Sequence, residues 1–117
     1  MGTFRVPMEI RNRVTQQAET VEALVDTGAR YSMAPASLLH RLGIEAERTM
    51  RFRVATGDTV NYPTGAADFL VEGLSAPSRL TFGPDGQYLL GAVTLQELSL
   101  VVDPGEERLI PEEELSL

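Results

Sequence analysis

The chain has 117 residues, 43% hydrophobic and 23% charged, a composition typical of one globular domain and unlike that of a disordered or repetitive chain. Its formal net charge of −7 disfavours a nucleic-acid partner, and the absence of cysteine excludes thiol catalysis and cysteine-ligated metals. It has neither a signal-peptide pattern nor an apolar run approaching the ~18 residues of a membrane span, so we expect a soluble, cytoplasmic protein without a membrane partner.

The N-terminal quarter predicts two strands. In residues 4–10, "FRVPMEI", apolar and polar side chains alternate with the period of a strand that buries one face. Pro7 cannot donate a ladder hydrogen bond, which places this strand at an edge or leaves its first part unpaired. Residues 21–26, "VEALVD", are apolar on both faces near the end of the segment, so we expect Asp26 to emerge from the interior.

Residues 35–43, "PASLLHRLG", predict a short helix. Ser37 is the expected N-cap, and Gly43 suits the left-handed residue that ends a helix. We expect His40 at the surface of this helix, because the chain has no second histidine with which it would form a metal site. The predicted inner face consists of Leu38, Leu39 and Leu42.

Residues 49–63, "TMRFRVATGDTVNYP", predict a β-hairpin. The apolar alternation stops at a Thr-Gly-Asp break at residues 56–58 and then resumes, and Gly and Asp tolerate positive φ at a strand reversal. Further strands are expected in "GAADFLVEG", "SRLTFG" and "QYLLG". Two groups of arginines alternate with apolar residues, and we interpret them as solvated strand faces: Arg5, Arg11, Arg13, Arg48, Arg51 and Arg53.

The C-terminal part predicts one helix and two strands. Thr94 and Glu97 have the spacing of a capping box, which predicts a helix that begins just after Gly91. Residues 99–111, "SLVVDPGEERLIP", predict a strand, a Pro-Gly turn and a second strand. Residues 112–117 predict an acidic, solvated tail or an edge strand. From the length of the chain we expect a single domain, residues 1–117, with its core at about 4–111.

A pattern of apolar strand, glycine-containing turn and short helix occurs twice, in residues 23–43 and 88–98. The first copy contains Asp-Thr-Gly at residues 26–28, whereas the second has Leu90 before its glycine. Taken alone, the tripeptide is a weak signal, because an aspartate often accepts hydrogen bonds from the backbone amides of its own turn.

Peptide hydrolysis by carboxylates requires two of them sharing one proton, so that one activates water while the other donates to the carbonyl oxygen. Asp68 and Asp103 are not followed by a hydroxyl residue and a glycine. If Asp26 belongs to such a pair, the second Asp26 must come from another copy of the chain, facing the first across a two-fold axis.

The segment "ALVDTGA", followed about 60 residues later by "YLLGAVTLQELSLVVDPGEERLIP", resembles the retropepsin-like aspartic proteases and, more narrowly, their small stand-alone prokaryotic members. The similarity covers about residues 21–111. It implies a mainly β fold, a closed acid-protease-like β-barrel half with one or two short helices, active as a two-fold homodimer. The implied activity is that of an aspartic endopeptidase, which hydrolyses a peptide or protein substrate by activating water, without metal or cofactor.

The resemblance also assigns roles to single residues. Asp26 would be the catalytic carboxylate. Thr27 would lock the two turns across the axis, and Gly28 would support the pair and admit the substrate backbone. The hairpin at residues 55–58 would be the flap that closes over the peptide. The remaining implied positions are substrate contacts at Ala29, Arg30, Ala55, Thr56, Gly57 and Asp58, and a scaffold behind the site at Leu90 and Gly91.

Two other interpretations remain open. The first is a retropepsin-like dimer that acts as a catalytically inactive binding or assembly module. Arg30 favours it, because this residue stands where the family usually has a small polar or acidic side chain. A guanidinium there would either pair with an acidic group of the substrate or fill the cleft and hinder peptides, and the second case favours a module that does not cut. The second is a monomeric β-rich domain in which Asp26 only caps a turn. Molecular mass in solution separates the monomer from both dimeric interpretations.

Overall fold

The computed structural model describes residues 3–103 and 105–115, and most of their regular structure is β-strand. The two helices in this part of the chain are short, at Ala36–Arg41 (α1) and Ala92–Leu98 (α2). The predicted mainly β class with one or two short helices is confirmed. The strands are β1 (Arg5–Arg11), β2 (Ala18–Val25), β3 (Ser32–Pro35), β4 (Arg48–Arg53), β5 (Thr59–Val71), β6 (Leu74–Gly83), β7 (Leu89–Leu90), β8 (Leu100–Asp103) and β9 (Arg108–Pro111).

Within the described residues, seven strands form one sheet in the order β1-β2-β7-β3-β6-β5-β4. Strand β1 also pairs with β5, so the hydrogen-bonded ladder returns to its first strand and β4 extends from β5. Strands β2 and β7 pair in parallel, with Val25 beside Leu90. This pairing brings the two copies of the strand-turn-helix pattern next to each other. Strands β8 and β9 form a separate two-stranded sheet.

Strand β1 has the predicted alternation, with Val6, Met8 and Ile10 buried. All of β1 pairs with β2, but β5 joins only at Glu9–Arg11. Pro7 therefore lies in the part of β1 that has one partner strand. A proline is tolerated there because the second ladder does not reach it.

Strand β5 is longer than the sequence pattern predicts, because the second arm of the hairpin and the segment "GAADFLVEG" form one continuous strand. Its first half pairs with β4 and its second half with β6, and Thr64 pairs with both. Thr64 is buried, and its hydroxyl donates to the Arg48 carbonyl oxygen at 3.0 Å. The buried hydroxyl of Thr64 therefore has a hydrogen-bond partner at the point where β5 passes from β4 to β6.

The predicted N-cap of α1 is wrong. The helix begins at Ala36, directly after β3, and the residue before it is Pro35, which makes no side-chain cap. Ser37 lies inside the first turn, where its hydroxyl donates to Asp85 Oδ1 at 3.1 Å. The strand runs directly into the helix, which leaves Ser37 beyond the capping position. The predicted helix end is confirmed, since Gly43 has a φ of +75°.

The predicted capping box of α2 is also wrong. The helix starts directly after Gly91, as expected, but Gly91 is itself the N-cap and no side chain caps the helix. Thr94 is the third helical residue and is buried, with its hydroxyl against those of Ser32 and Ser78. Thr94 therefore lies three residues past the N-cap, and its hydroxyl contacts two buried serines instead of a backbone amide of the helix.

The C-terminal strands pair as the predicted hairpin. At their turn the Gly105 amide donates to Asp103 Oδ1 at 3.2 Å, while Pro104 lies outside the described residues. Residues 112–115 of the predicted tail are exposed and have no regular structure, and residues 116–117 lie outside the described part.

The core draws on the large sheet and on both helices. His40 is exposed on α1, as predicted. Neither α1 nor α2, the helices of the described residues, is long and apolar enough to cross a membrane. The predicted inner face of α1 is buried, at Leu38, Leu39 and Leu42, together with Met8, Ile10, Ala23, Ala34, Leu80 and Leu90.

Candidate active site

Asp26 follows the last residue of β2 and opens a tight turn, which we call the acid turn (residues 26–30). The Asp26 amide donates to the Leu90 carbonyl oxygen at 3.0 Å, and the Asp26 carbonyl oxygen accepts from the Ala29 amide at 3.1 Å. Its side-chain Oδ1 accepts from the Gly28 amide at 3.0 Å. These bonds fix a half-buried carboxylate at the point where β2 leaves the core.

The start of α2 holds the far side of the acid turn. We call residues 90–93 the anchor segment. The Ala92 amide donates to the Ala29 carbonyl oxygen at 2.9 Å, and the Val93 amide donates to the Arg30 carbonyl oxygen at 2.9 Å. Amides in the first turn of a helix have no partner within the helix, so the acid turn satisfies both donors.

Gly91 allows the anchor segment to lie directly against the chain that follows the acid turn. A Cβ atom at this position would lie 2.6 Å from the Tyr31 carbonyl carbon and 2.7 Å from its oxygen. The Gly91 amide donates to Ser32 Oγ at 3.0 Å. Since the neighbouring atoms are mainly backbone, a larger residue could not be accommodated by a side-chain rotation.

Three buried hydroxyl groups connect β3, β6 and α2 behind the acid turn. Thr94 Oγ1 lies 2.6 Å from Ser32 Oγ and 2.8 Å from Ser78 Oγ. All three side chains are buried. The sequence did not predict this network, because its three members are far apart along the chain. Of the three, only Thr94 belongs to a local pattern, the predicted capping box.

A cavity of about 390 Å³ lies between the acid turn and the β4–β5 hairpin. Residues 28–30 form part of its wall. The ring centroid of Phe52 lies 6.2 Å from that of Tyr31 and 6.2 Å from that of Tyr62, so an aromatic cluster joins the hairpin to the acid turn. The other lining residues are Met33, Arg51, Arg53, Val54, Thr81 and Leu89.

Internal hydrogen bonds close the tip of the β4–β5 hairpin. The Val54 amide donates to the Asp58 carbonyl oxygen and the Gly57 amide to the Val54 carbonyl oxygen, both at 2.9 Å. Gly57 has a φ of +93°, and its carbonyl oxygen accepts from Arg53 Nη1 at 2.9 Å. The predicted flap residues are exposed at this tip and do not line the cavity: Ala55, Thr56, Gly57 and Asp58.

The structure therefore brings some predicted site residues together and separates others. Residues 28–30 reach the cavity, and the anchor segment lies behind them, while Thr27 is exposed. The aromatic cluster was missed, although Tyr31 directly follows the acid turn and Phe52 belongs to the apolar side of the predicted hairpin. Two arginines interpreted as solvated, Arg51 and Arg53, are exposed and also line the cavity.

A larger cavity, of about 510 Å³, lies away from the acid turn, beside the loop after β1 and the segment after α1. Its buried polar residue is Asn12, whose side chain donates to the Leu42 carbonyl oxygen and accepts from the Val14 and Thr15 amides. These three hydrogen bonds give the Asn12 amide a structural role in holding the loop. We therefore locate the candidate site at the smaller cavity.

Comparisons with known proteins identify the family and the fold. A family model described as aspartyl protease matches residues 6–92, which include the acid turn and most of the anchor segment. The solution structure of simian foamy virus (mac) protease is similar in fold, with a TM-score of 0.54 and 18% identity over 80% of this chain and 89% of that chain. A comparison with curated proteins gave no match. Because the family model covers most of the sequence, the chain belongs to the retropepsin-like aspartyl protease family.

Proposed function

We propose that this chain is an aspartic endopeptidase that acts as a homodimer, with the Asp26 carboxylates of two copies forming the catalytic pair. The observation that carries the proposal is the setting of Asp26. Its carboxylate stands where β2 leaves the core, is held by the Gly28 amide, and adjoins the cavity wall formed by residues 28–30. Membership in the aspartyl protease family supports the same class of reaction.

The second carboxylate has no evident source within one chain. Asp26 adjoins the cavity through its hydrogen bond with Gly28 but does not line it, and the lining residues in the described part of the chain include no other aspartate or glutamate. Asp68 Oδ1 lies 3.2 Å from Arg13 Nε, and Asp103 Oδ2 lies 3.4 Å from Arg108 Nε, so both are engaged elsewhere. A two-fold dimer supplies the missing group, because it places identical residues opposite each other at its axis.

The reaction follows from the shared proton. Two carboxylates ~3 Å apart cannot both ionise, so the pair holds one proton. The ionised group takes a proton from water, whose oxygen bonds to the peptide carbonyl carbon, while the protonated group donates to the carbonyl oxygen. The carbon–nitrogen bond then breaks as the group that took the water proton passes it to the leaving nitrogen, while the other carboxylate takes a proton from a hydroxyl of the tetrahedral carbon. A carboxylic acid, an amine and the original singly protonated pair result. Hydrolysis should slow as the pH rises and the shared proton is lost.

Two further features fit this function. Thr27 is exposed in the single chain, so its hydroxyl is accessible to the acid turn of a second copy. The tip of the β4–β5 hairpin is also exposed, and Phe52 attaches the hairpin base to Tyr31. A hairpin in this position would act as a flap that excludes water and adds strand-type hydrogen bonds to a bound peptide.

The test combines sedimentation equilibrium across a concentration series with cleavage of an unfolded peptide library in the same samples. Activity that rises with the dimer fraction is the expected result, since each catalytic pair needs two chains. A chain that remains monomeric at high concentration, yet cuts with the same specific activity throughout, would contradict the shared site.

A second candidate function is a dimeric binding module that does not cut. Arg30 favours it: the guanidinium carbon lies 5.7 Å from the centroid of the Tyr31 ring, on the wall of the cavity. A dimer that binds peptides but releases no product would support this candidate. Cleavage that disappears in Asp26→Asn would exclude it.

A further inference from the structure

We infer that the cavity selects peptides with acidic side chains next to an apolar residue. The inference rests on the proposed peptidase function and names the class of substrate for the same site. It starts from the charge of the cavity lining, which differs in sign from the charge of the whole chain.

Three arginines line the cavity, at positions 30, 51 and 53, and no acidic residue in the described part of the chain does so. The chain as a whole has a formal net charge of −7. A cleft with one sign of charge and low-dielectric walls concentrates the field within it. The positive lining therefore attracts carboxylates although the protein repels them overall.

These three arginines are also distinct from the paired ones. Within residues 3–103 and 105–115, the ion pairs involve Arg11, Arg13, Arg41, Arg79 and Arg108 and none of the three at the cavity. Arg30 lies against the Tyr31 ring, and Arg53 donates to the Gly57 carbonyl oxygen. The guanidinium groups of Arg30 and Arg53 thus each have a contact within the chain, and none of the three arginines has a carboxylate partner among the described residues. Arginine binds carboxylates through two parallel hydrogen bonds, which a peptide carrying Asp or Glu would supply.

The remaining lining is apolar and aromatic. Tyr31, Phe52 and Tyr62 form the aromatic cluster, and Met33 and Leu89 also line the cavity. Such a surface gains free energy by covering an apolar side chain. A suitable ligand combines one apolar residue with acidic neighbours, in an extended peptide.

The test measures binding separately from cleavage. Peptides share one apolar core and carry Glu, Gln or Lys at the flanking positions, with a neutral dye and an amidated C-terminus. Fluorescence anisotropy is recorded with Asp26→Asn, whose Asn Oδ1 still accepts from the Gly28 amide and which should not consume the peptide. Binding is also measured with the unsubstituted protein, using the same peptides with the scissile amide reduced so that they cannot be hydrolysed. This second measurement still tests the inference if the Asp26→Asn variant does not fold. A free C-terminus on the Gln peptide distinguishes a terminal carboxylate from an acidic side chain.

We expect the Glu peptide to bind about tenfold tighter than the Gln peptide, because several exposed charge pairs contribute together. Arg30→Gln or Arg51→Gln should each reduce that ratio about threefold, and added salt should reduce it further. The matched control is Arg48→Gln, since Arg48 lies on the same strand but does not line the cavity. It should leave the ratio unchanged.

Equal binding of the Glu and Gln peptides, or an equal loss of preference in Arg48→Gln, would overturn the inference. The inference would also be overturned if the Gln peptide with a free C-terminus bound more tightly than the amidated Glu peptide, because the bound group would then be the terminal carboxylate. Cleavage by the unsubstituted protein is scored separately. Preferential binding of acidic peptides without cleavage would support the acidic specificity and contradict the peptidase function. Cleavage without a preference for acidic peptides would support the peptidase function and contradict the acidic specificity.

Discussion

The acid turn and the anchor segment are two versions of one local pattern, a strand that ends in a glycine-containing turn. In the acid turn, Thr27 and Gly28 are exposed and Asp26 is half-buried. In the anchor segment, Leu90 is fully buried and Gly91 presses against backbone. The same shape therefore serves two purposes: one copy presents polar groups to the outside, and the other holds the first in place.

The two versions are not independent. The acid turn exchanges three backbone hydrogen bonds with the anchor segment, through Asp26, Ala29 and Arg30. The exposed acid turn is thus held in place by contacts with a buried neighbour and not by its own burial. Substitutions in the two copies should consequently have opposite profiles, with losses of activity in the first and losses of stability in the second.

The largest effect is expected from Asp26→Asn. Removing the acid–base group should lower the rate of peptide hydrolysis about 10³-fold. The free energy of unfolding should change by less than about 0.5 kcal/mol, since Asn keeps the oxygen that accepts from the Gly28 amide. Initial rates and denaturant unfolding measure the two quantities. Asp85→Asn, on the surface, serves as the control, and an equal loss of activity there would refute the assignment.

The two glycines separate stability from activity most directly. Gly91→Ala should lower the free energy of unfolding by about 2–3 kcal/mol, because its Cβ would overlap the Tyr31 carbonyl group. Gly28→Ala should cost less than about 1 kcal/mol, because its Cβ would contact only Asp26 Oδ1, at 3.3 Å, yet it should slow hydrolysis beside the carboxylate. Urea unfolding and peptide cleavage of both variants provide the comparison. Equal stability losses would remove the distinction between the two turns.

A substitution in the buried hydroxyl network tests whether this network stabilises the anchor segment. Thr94→Val removes the partner of Ser32 and Ser78 and should cost about 2 kcal/mol, since buried polar groups lose a hydrogen bond. Thermal or denaturant unfolding measures the loss. Thr20→Val, on an exposed position of β2, is the control and should have almost no effect. A Thr94→Val protein as stable as this control would show that the network contributes little.

The smallest effect concerns the exposed hydroxyl of the acid turn. Thr27→Val should leave the unfolding of a single chain unchanged within about 0.5 kcal/mol, because the side chain is exposed. In the proposed dimer it should raise the dissociation constant about tenfold, since each copy loses one hydrogen bond. Sedimentation equilibrium measures this constant. An unchanged dimer would assign no role to Thr27 at the axis.

Local patterns predicted much of the fold. The alternation in β1 and in the β4–β5 hairpin identified these strands, because one buried face imposes a period of two on the sequence. Both capping predictions failed because each helix begins before the residue expected to cap it, with Pro35 and Gly91 at the N-cap positions. Ser37 and Thr94 have hydroxyl partners that are distant in sequence, Asp85 for the first and Ser32 and Ser78 for the second. A local spacing rule contains no information about such partners.

The candidate site was predicted in the same uneven way. The acid turn and its anchor were found because each is a short contiguous motif. The aromatic cluster and the positive lining were not, because they form only when the hairpin folds across the chain that follows the acid turn. Arg51 and Arg53 alternate with apolar residues whether they face solvent or a cleft, so the pattern alone could not distinguish the two.

The bond between the Asp26 amide and the Leu90 carbonyl oxygen has a consequence for biosynthesis. Leu90 follows Asp26 by about 60 positions, so this contact is non-local and closes a long loop of the chain. A chain emerging from the ribosome exposes Asp26 several seconds before its anchor, at about 5–20 residues per second. During that interval the acid turn lacks the backbone contacts that hold it. The nascent chain therefore presents its Asp-Thr-Gly sequence before the acid turn can be held in its folded geometry.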